Sequence, residues 1–190
     1  MAHIKVVRRS MRPEEWTDLR FGWLKRYIYE EKFEIENLKV RDARQVSEMQ
    51  YDYYPDGWRN LRKGDMYFTP DGTAFFDADV VIPEKLRGKE LWFSLKTAAE
   101  IIVKVNGKYV GGVDPNRDRI LLTPYIDSDY LHFEMEGYNR SKPDDERNPE
   151  SLSVRGCRQI FEGAYLATIN HTVLDLVYDL ELLLDIAKSD

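Results

Sequence analysis

The sequence predicts a mainly β fold, a β-sandwich flanked by an N-terminal helix and a C-terminal helix. Between residues 73 and 139 lie about six short runs of β-branched, aromatic and aliphatic residues, and turn residues separate them at the spacing typical of a sandwich. Near both ends of the chain, apolar residues recur instead at helical spacing. We therefore expect residues 1–65 to hold a helix and an aromatic-rich connection, residues 66–168 to form the sandwich, and residues 169–190 to form an amphipathic helix.

The N-terminal helix is expected to run from about Pro13 to Glu31. Proline is tolerated at an early helical position, and two glutamates follow it where the helix dipole favours acidic side chains. The apolar face of this helix is rich in aromatic residues and includes Trp16 and Trp23. Packing against other parts of the protein is the default interpretation of such a face, and stacking of Trp16 or Trp23 on a ligand is the alternative.

Asn106 and Gly107 predict a two-residue hairpin loop at the centre of the sandwich. Such a loop requires a positive φ at both of its positions, and asparagine and glycine tolerate this conformation better than almost any other pair. Ile101–Val105 should therefore pair with Lys108–Val110.

The last segment, NHTVLDLVYDLELLLDIAKSD, carries one apolar stripe at helical spacing. Its members are Ile169, Val173, Leu176, Val177, Leu180, Leu183, Leu184 and Ala187. The charged, proline-containing residues 139–151 before it predict a mobile loop or a stalk between the sandwich and the C-terminal segment. Because no glycine or proline stops the helix before Asp190, we expect it to link the sandwich to a further domain.

Composition excludes several classes of partner. A formal net charge of -6 argues against a nucleic-acid partner, which requires a basic face. No window is long and apolar enough to span a membrane, so no membrane partner is expected either. The single cysteine, Cys157, excludes an internal disulfide, and together with the lack of a signal segment it predicts a reducing, cytoplasmic environment.

The sequence predicts no catalytic residue, metal site or other cofactor within this chain. His3, His132 and His171 are isolated from one another, and His132 alternates with apolar residues along a strand, which predicts that it faces solvent. Cys157 lies between two arginines that would lower its pKa, but a structural thiol is the favoured interpretation because no catalytic histidine accompanies it. The 34 acidic residues allow a carboxylate pair to be chosen almost at will, so none is singled out.

Two groups of residues are candidates for ligand binding. Tyr53, Tyr54 and Trp58 flank the turn Pro55-Asp56-Gly57, which can display aromatic rings to a sugar, although packing beneath the sandwich is the alternative. Asp114 and Arg117 can reach sugar hydroxyls or another domain, whereas an ion pair or an Asx-type hydrogen bond that stabilises a turn is the structural alternative.

Four segments, DADVVIP, LWFSL, AEIIVKVNGKYVGGVDPNRDRILLTPY and HFEMEGYN, resemble the N-terminal β-sandwich domain of glycoside hydrolase family 38 α-mannosidases of the cytosolic and bacterial branch. The matching motifs are Ile82-Pro83, Asn106-Gly107, and Gly112-Val113-Asp114 followed by Asn116-Arg117. The similarity extends over roughly residues 20–188. One departure lies in GWRNLRKGDMYF, where Met66-Tyr67 replaces the family's usual tryptophan after Gly-Asp.

This resemblance implies a jelly-roll-like sandwich of the galactose-binding-like type, N-terminal to the catalytic domain of a retaining, metal-dependent α-mannosidase. The family's His-x-His-x-Asp zinc motif is absent from these 190 residues. The resemblance therefore implies a non-catalytic domain whose partner is the catalytic domain of the same polypeptide, where a zinc-type divalent metal would reside. A mannose-containing saccharide or a second copy of the chain is a further possible partner, and Trp58, Asp114, Asn116 and Arg117 would contact sugar or the catalytic domain. The alternative function is an independent carbohydrate-binding module.

Overall fold

The computed structural model describes residues 13–67, 72–97, 99–139 and 159–189. Cys157, His3 and most of the predicted loop 139–151 lie outside these described residues. The chain divides into two compact units. One comprises the chain up to Glu30 together with the chain from Ile169 onward, and the other comprises Glu31–Thr168.

The first unit contains the two helices. α1 spans Pro13–Leu24 and continues into a 3-10 turn at Lys25–Tyr27, and α2 spans His171–Ser189. Asn170 caps α2, because its side-chain Oδ1 accepts a hydrogen bond of 3.1 Å from the backbone N–H of Val173. An ion pair between Lys25 and Glu181 joins the 3-10 turn to α2 within this unit.

The helix predicted to reach Glu31 ends earlier, at Leu24. Its apolar spacing continues to the buried Ile28, but the next residues, Tyr29–Glu34, form a strand that pairs within a sheet. Sheet pairing, which depends on distant residues, thus overrides the local helical pattern. Trp16 and Trp23 are both about half exposed.

The predicted stripe of α2 also differs from the observed one. Leu174, which lies outside the predicted stripe, is buried together with Val177, whereas the stripe residues Leu176 and Leu183 are exposed. The exposed apolar side chains of α2 are Leu176, Tyr178, Leu182, Leu183 and Ile186.

The second unit is the predicted β-sandwich, and all its paired strands with a defined register are antiparallel. Its strands are β1 (Tyr29–Glu34), β2 (Lys39–Ser47), β3 (Gln50–Tyr53), β4 (Arg59–Asn60), β5 (Met66–Tyr67), β6 (Gly72–Val81), β7 (Trp92–Leu95), β8 (Glu100–Val105), β9 (Lys108–Val113), β10 (Arg119–Leu121), β11 (Tyr130–Asn139), β12 (Gln159–Ile160) and β13 (Ala164–Ile169).

Two main sheets pack around one core. The larger sheet has the order β3-β2-β6-β11-β8-β9, with β4 also paired to β2, and the smaller sheet has the order β1-β13-β7-β10. The short strands β5 and β12 pair with each other. Phe93 of the smaller sheet and Phe133 of the larger sheet are fully buried, with ring centres 5.0 Å apart. The hydrophobic core therefore lies between the sheets, as in a sandwich.

Residues 33–65 contain more strand than the predicted connection. β2 and β3 form one edge of the larger sheet. In β2, the side chains of Val40 and Ala43 are buried, two half-buried positions separate them, and four consecutive exposed positions follow Ala43. This strand lacks strict alternation, so its local sequence does not distinguish it from an irregular segment.

The predicted hairpin is confirmed. Asn106 and Gly107 have φ values of 50° and 76°, and Val105 pairs with Lys108 across the turn. The register shifts between Val103 and Lys104, which leaves Val110 as an extra residue on β9.

Candidate functional site

The outer face of the larger sheet, which points away from the core, displays two adjacent rows of side chains across the strands. Residues that pair across antiparallel strands share a face of the sheet, so the strand registers define these rows. The first row comprises Arg41, Phe75, Glu136, Ile102 and Gly112. The second row comprises Lys39, Asp77, Glu134, Lys104 and Tyr109.

An aromatic cluster formed by Tyr51, Tyr53 and Phe75 lies at one end of this face. The Tyr51 and Phe75 rings meet edge to face, with centres 4.9 Å apart, and the Tyr53 ring centre lies 5.6 Å from that of Phe75. The Arg41 guanidinium carbon stacks 3.9 Å from the Tyr53 ring centre. Tyr53 is 42% exposed, so part of its ring is available to a ligand.

Glu136 is held beside the aromatic cluster. The Tyr51 hydroxyl donates a hydrogen bond to a carboxylate oxygen of Glu136. This bond stabilises the protonated hydroxyl and, together with partial burial, raises the pKa of Tyr51 to about 12. A carboxylate offers about four lone-pair sites. Glu136 is thus oriented by Tyr51 and retains capacity to accept hydrogen bonds from a ligand.

A depression of about 210 Å³ continues from the aromatic cluster toward the edge strand β9. It is lined by Phe75, Ile102, Lys104, Tyr109, Glu134, Met135 and Glu136. The Lys104 ammonium lies 4.6 Å from the Tyr109 ring centre, and Tyr109 is 67% exposed. The depression therefore combines aromatic surfaces with two carboxylates and one ammonium group, which can stack on and hydrogen-bond to a polar organic ligand.

A second cluster on the outer face contains Asp77, Asp79, Tyr130 and His132. His132 Nδ1 lies 2.8 Å from Asp79 Oδ1, and the Tyr130 hydroxyl donates a hydrogen bond to the same oxygen. The bonds from Tyr130 and His132 lower the pKa of Asp79, and the Asp79 carboxylate raises the pKa of Tyr130. The outer-face position of His132 agrees with its predicted orientation toward solvent.

The described residues do not form a metal site. No three His, Cys, Asp or Glu side chains in the described part of the chain are arranged to hold a metal ion. His132 has two carboxylate neighbours, but its Nε2 lies 3.7 Å from Asp77 Oδ2, and Nδ1 is engaged with Asp79. These residues therefore do not fit a zinc site.

The predicted site residues do not form one site. Trp58 follows β3 and is 47% exposed, whereas Asp114, Asn116 and Arg117 follow β9. β3 and β9 are the opposite edges of the larger sheet, about 24 Å apart at five strand spacings. Of the predicted aromatic residues, Tyr53 belongs to the aromatic cluster, and Tyr54 is exposed after β3.

Asp114 stabilises a turn, which was the structural alternative for this residue. Its Oδ1 accepts hydrogen bonds from the backbone N–H groups of Asn116 at 2.8 Å and Arg117 at 3.0 Å. Its Oδ2 accepts one from Arg117 Nε at 3.0 Å. These interactions, led by the Asn116 N–H, lower the pKa of Asp114. Both carboxylate oxygens are therefore engaged within the turn.

Sequence reasoning missed Tyr51, Phe75, Tyr109 and Glu136. Tyr51 and Tyr53 lie two residues apart and share a face of β3, which is a local signal. By contrast, Phe75 and Glu136 are neighbours only through the pairing of β6 with β11. That contact between distant segments becomes visible only once the strand register is known.

A larger depression of about 330 Å³ lies among loops of the sandwich, near Ile82, Leu86, Leu91, Thr123 and Ile126. Its basic residues, Arg87 and Lys89, form ion pairs with protein carboxylates. Arg87 pairs with Asp129 at 3.1 Å, and Lys89 pairs with Glu31 at 3.2 Å. The outer face offers the stronger combination of exposed aromatic rings and polar groups.

Comparisons with known proteins give no sequence family. No family model matches the sequence, and no curated protein matches it. No helix among the described residues is long and apolar enough to cross a membrane.

Three similar solved structures are glycoside hydrolases. A calcium-binding mutant of Bacteroides uniformis β-glucuronidase 2 has 14% identity and a TM-score of 0.45, over 72% of this chain and 18% of that one. A rhamnosidase from Novosphingobium sp. PP1Y has 14% identity and a TM-score of 0.47, over 73% and 15%. A β-D-glucuronidase of Dictyoglomus thermophilum has 11% identity and a TM-score of 0.40, over 74% and 28%. This chain thus spans less than a third of the length of each of the three.

Proposed function

We propose that this chain is a non-catalytic β-sandwich domain of a glycoside hydrolase and that the outer face of its larger sheet binds carbohydrate. The observation that carries the binding proposal is the aromatic cluster of the half-buried Tyr51 and Phe75 and the exposed Tyr53, beside the oriented carboxylate of Glu136. A sugar ring has an apolar C–H face and a rim of hydroxyls. Aromatic rings pack against such an apolar face, and a carboxylate accepts hydrogen bonds from the hydroxyls.

The finer form of the proposal is the N-terminal domain of a cytoplasmic α-mannosidase. It is supported by the motifs Asn106-Gly107 and Gly112-Val113-Asp114 with Asn116-Arg117. In this form, the catalytic domain of the same polypeptide is the partner and holds the divalent metal. The exposed apolar side chains of α2, among them Leu182 and Leu183, suit contact with that domain or with a second copy of the chain.

Carbohydrate binding is tested by probing the chain with an array of glycans that includes mannose-containing saccharides. Bound glycans are then titrated while backbone amide chemical shifts are recorded. We expect shifts on β3, β6 and β11, and about a tenfold loss of affinity for Tyr53→Ala, because removal of one stacking ring costs about 1.4 kcal/mol. Tyr178→Ala removes an exposed tyrosine from α2 and should leave affinity unchanged.

Carbohydrate binding is contradicted if no glycan binds. The outer face as the binding site is contradicted if a glycan binds with the same affinity to the native chain and to Tyr53→Ala. The α-mannosidase assignment has a separate test, which is to sequence the source transcript beyond codon 190. A continuous reading frame that encodes His-x-His-x-Asp supports it, and a stop codon favours an independent carbohydrate-binding module.

A further inference from the structure

We infer that the outer face binds a linear glycan chain of several sugar residues, laid across the strands from the aromatic cluster to Tyr109, rather than one terminal sugar. This inference rests on the proposed carbohydrate binding and adds the form of the ligand. Its basis is the arrangement of aromatic and polar side chains along the two rows of the outer face.

Aromatic side chains lie at both ends of the path. Phe75 of the aromatic cluster lies on β6, and Tyr109 lies on β9, three strand spacings away. At the usual spacing of paired strands, this separation is about 14 Å, and β3 extends the path further on the other side. A single sugar ring is too short to contact both ends, whereas a chain of several rings can contact both at once.

Polar groups occupy the middle of the path. Glu136 lies in the first row, and Glu134 and Lys104 face each other in the second row. All three line the depression between the aromatic ends. Carboxylates accept hydrogen bonds from hydroxyls, and the ammonium group donates to hydroxyl or ring oxygens. The path therefore places hydrogen-bonding groups between two stacking surfaces, which matches a chain of hydroxyl-bearing rings.

The path is open at the β9 edge. The first row ends at Gly112, which is exposed and has no side chain to form a wall. β9 is the last strand of the larger sheet on this side. A site for the end of a glycan requires a barrier at one end, whereas an open edge allows the glycan to continue beyond the protein.

The test uses linear mannose oligosaccharides of increasing length, from mannose to a hexasaccharide, titrated into the full chain by calorimetry. We expect affinity to rise with length by about tenfold or more. Tyr109→Ala should remove this rise, whereas Tyr53→Ala should weaken binding at every length. Tyr109→Phe keeps the ring and should retain the rise. Circular dichroism checks that each variant is folded.

The outcomes separate this inference from the proposed function. Equal affinity for mannose and for the longest oligosaccharide would overturn the inference and leave carbohydrate binding intact. A rise of affinity with oligosaccharide length that persists in Tyr109→Ala would also overturn the inference, because the oligosaccharide would then follow another path. If no member of the series binds, both the inference and binding of mannose-containing glycans fail.

Discussion

Replacement of Gly107 by valine tests the turn on which the central hairpin depends. Gly107 has a φ of 76°, in the left-handed region that side chains with a Cβ avoid and that β-branched residues avoid most strongly. A Cβ built at Gly107 meets no atom within 4 Å. The cost of the substitution therefore comes from the backbone conformation and not from a collision with neighbouring side chains.

The magnitude follows from two opposing contributions. A left-handed conformation costs a residue with a Cβ roughly 1–2 kcal/mol, and branching at Cβ adds to this cost. Valine also restricts the unfolded chain, which offsets about 0.4–1 kcal/mol. The free energy of unfolding should therefore fall by about 1–2 kcal/mol, which for a chain of this size lowers the Tm by about 2–8 °C.

Thermal unfolding followed by circular dichroism measures this loss, and substitutions at the same position provide controls. Asparagine tolerates positive φ, so Gly107→Asn should remain close to the native Tm, and Gly107→Ala should fall between asparagine and valine. If Gly107→Val melts at the same temperature as Gly107→Asn, the reasoning is refuted, because the turn then does not hold residue 107 in the left-handed region.

Three further predictions concern the hairpin, the outer face and catalysis. Asn106→Gly keeps the turn conformation but removes the side-chain oxygen that accepts a hydrogen bond of 2.8 Å from the backbone N–H of His132. The free energy of unfolding, measured by chemical denaturation, should therefore fall by about 1 kcal/mol. An unchanged denaturation midpoint would show that this hydrogen bond contributes nothing to stability. Because the Tyr51 hydroxyl donates to Glu136, the tyrosine contributes stability that is complete below pH 10 and lost as the pH rises toward 12. Spectroscopic titration should show a tyrosine of raised pKa that is absent from Tyr51→Phe. In Glu136→Gln, the same tyrosine should titrate near the ordinary value of 10. The purified chain should release no product from an aryl α-mannoside with or without added divalent metal, and metal-dependent turnover that co-purifies with the chain would contradict the non-catalytic assignment.

The sandwich and its hairpin were predictable because their signals are local. The pair Asn106-Gly107 specifies a turn through its own backbone preferences, and alternation along β11 identifies which side chains are buried. The end of α1 at Leu24 was not predictable in the same way. The apolar spacing continues past it, and the strand that follows is stabilised by pairing with residues more than a hundred positions away.

Less of the candidate site than of the fold could be predicted from the sequence. Tyr53 was a candidate because it precedes a proline-glycine turn, but its significance comes from contacts with Phe75 and Arg41. The order of strands in the larger sheet brings these residues together, and Tyr109 joins the same face through three further strand pairings. Without the register, an exposed aromatic residue on one strand cannot be assigned to a shared surface.

The motif that supports the α-mannosidase resemblance and the face that supports carbohydrate binding are different parts of the molecule. Asp114 and Arg117 bond to each other and to the backbone of their own turn at the end of β9, so this motif stabilises the fold. Tyr51, Tyr53 and Glu136 lie on another part of the larger sheet and take no part in that turn. Arg117→Ala should therefore weaken the turn without changing glycan affinity, whereas Tyr53→Ala should reduce glycan affinity. A loss of glycan affinity in a folded Arg117→Ala variant would show that the turn and the binding face are coupled.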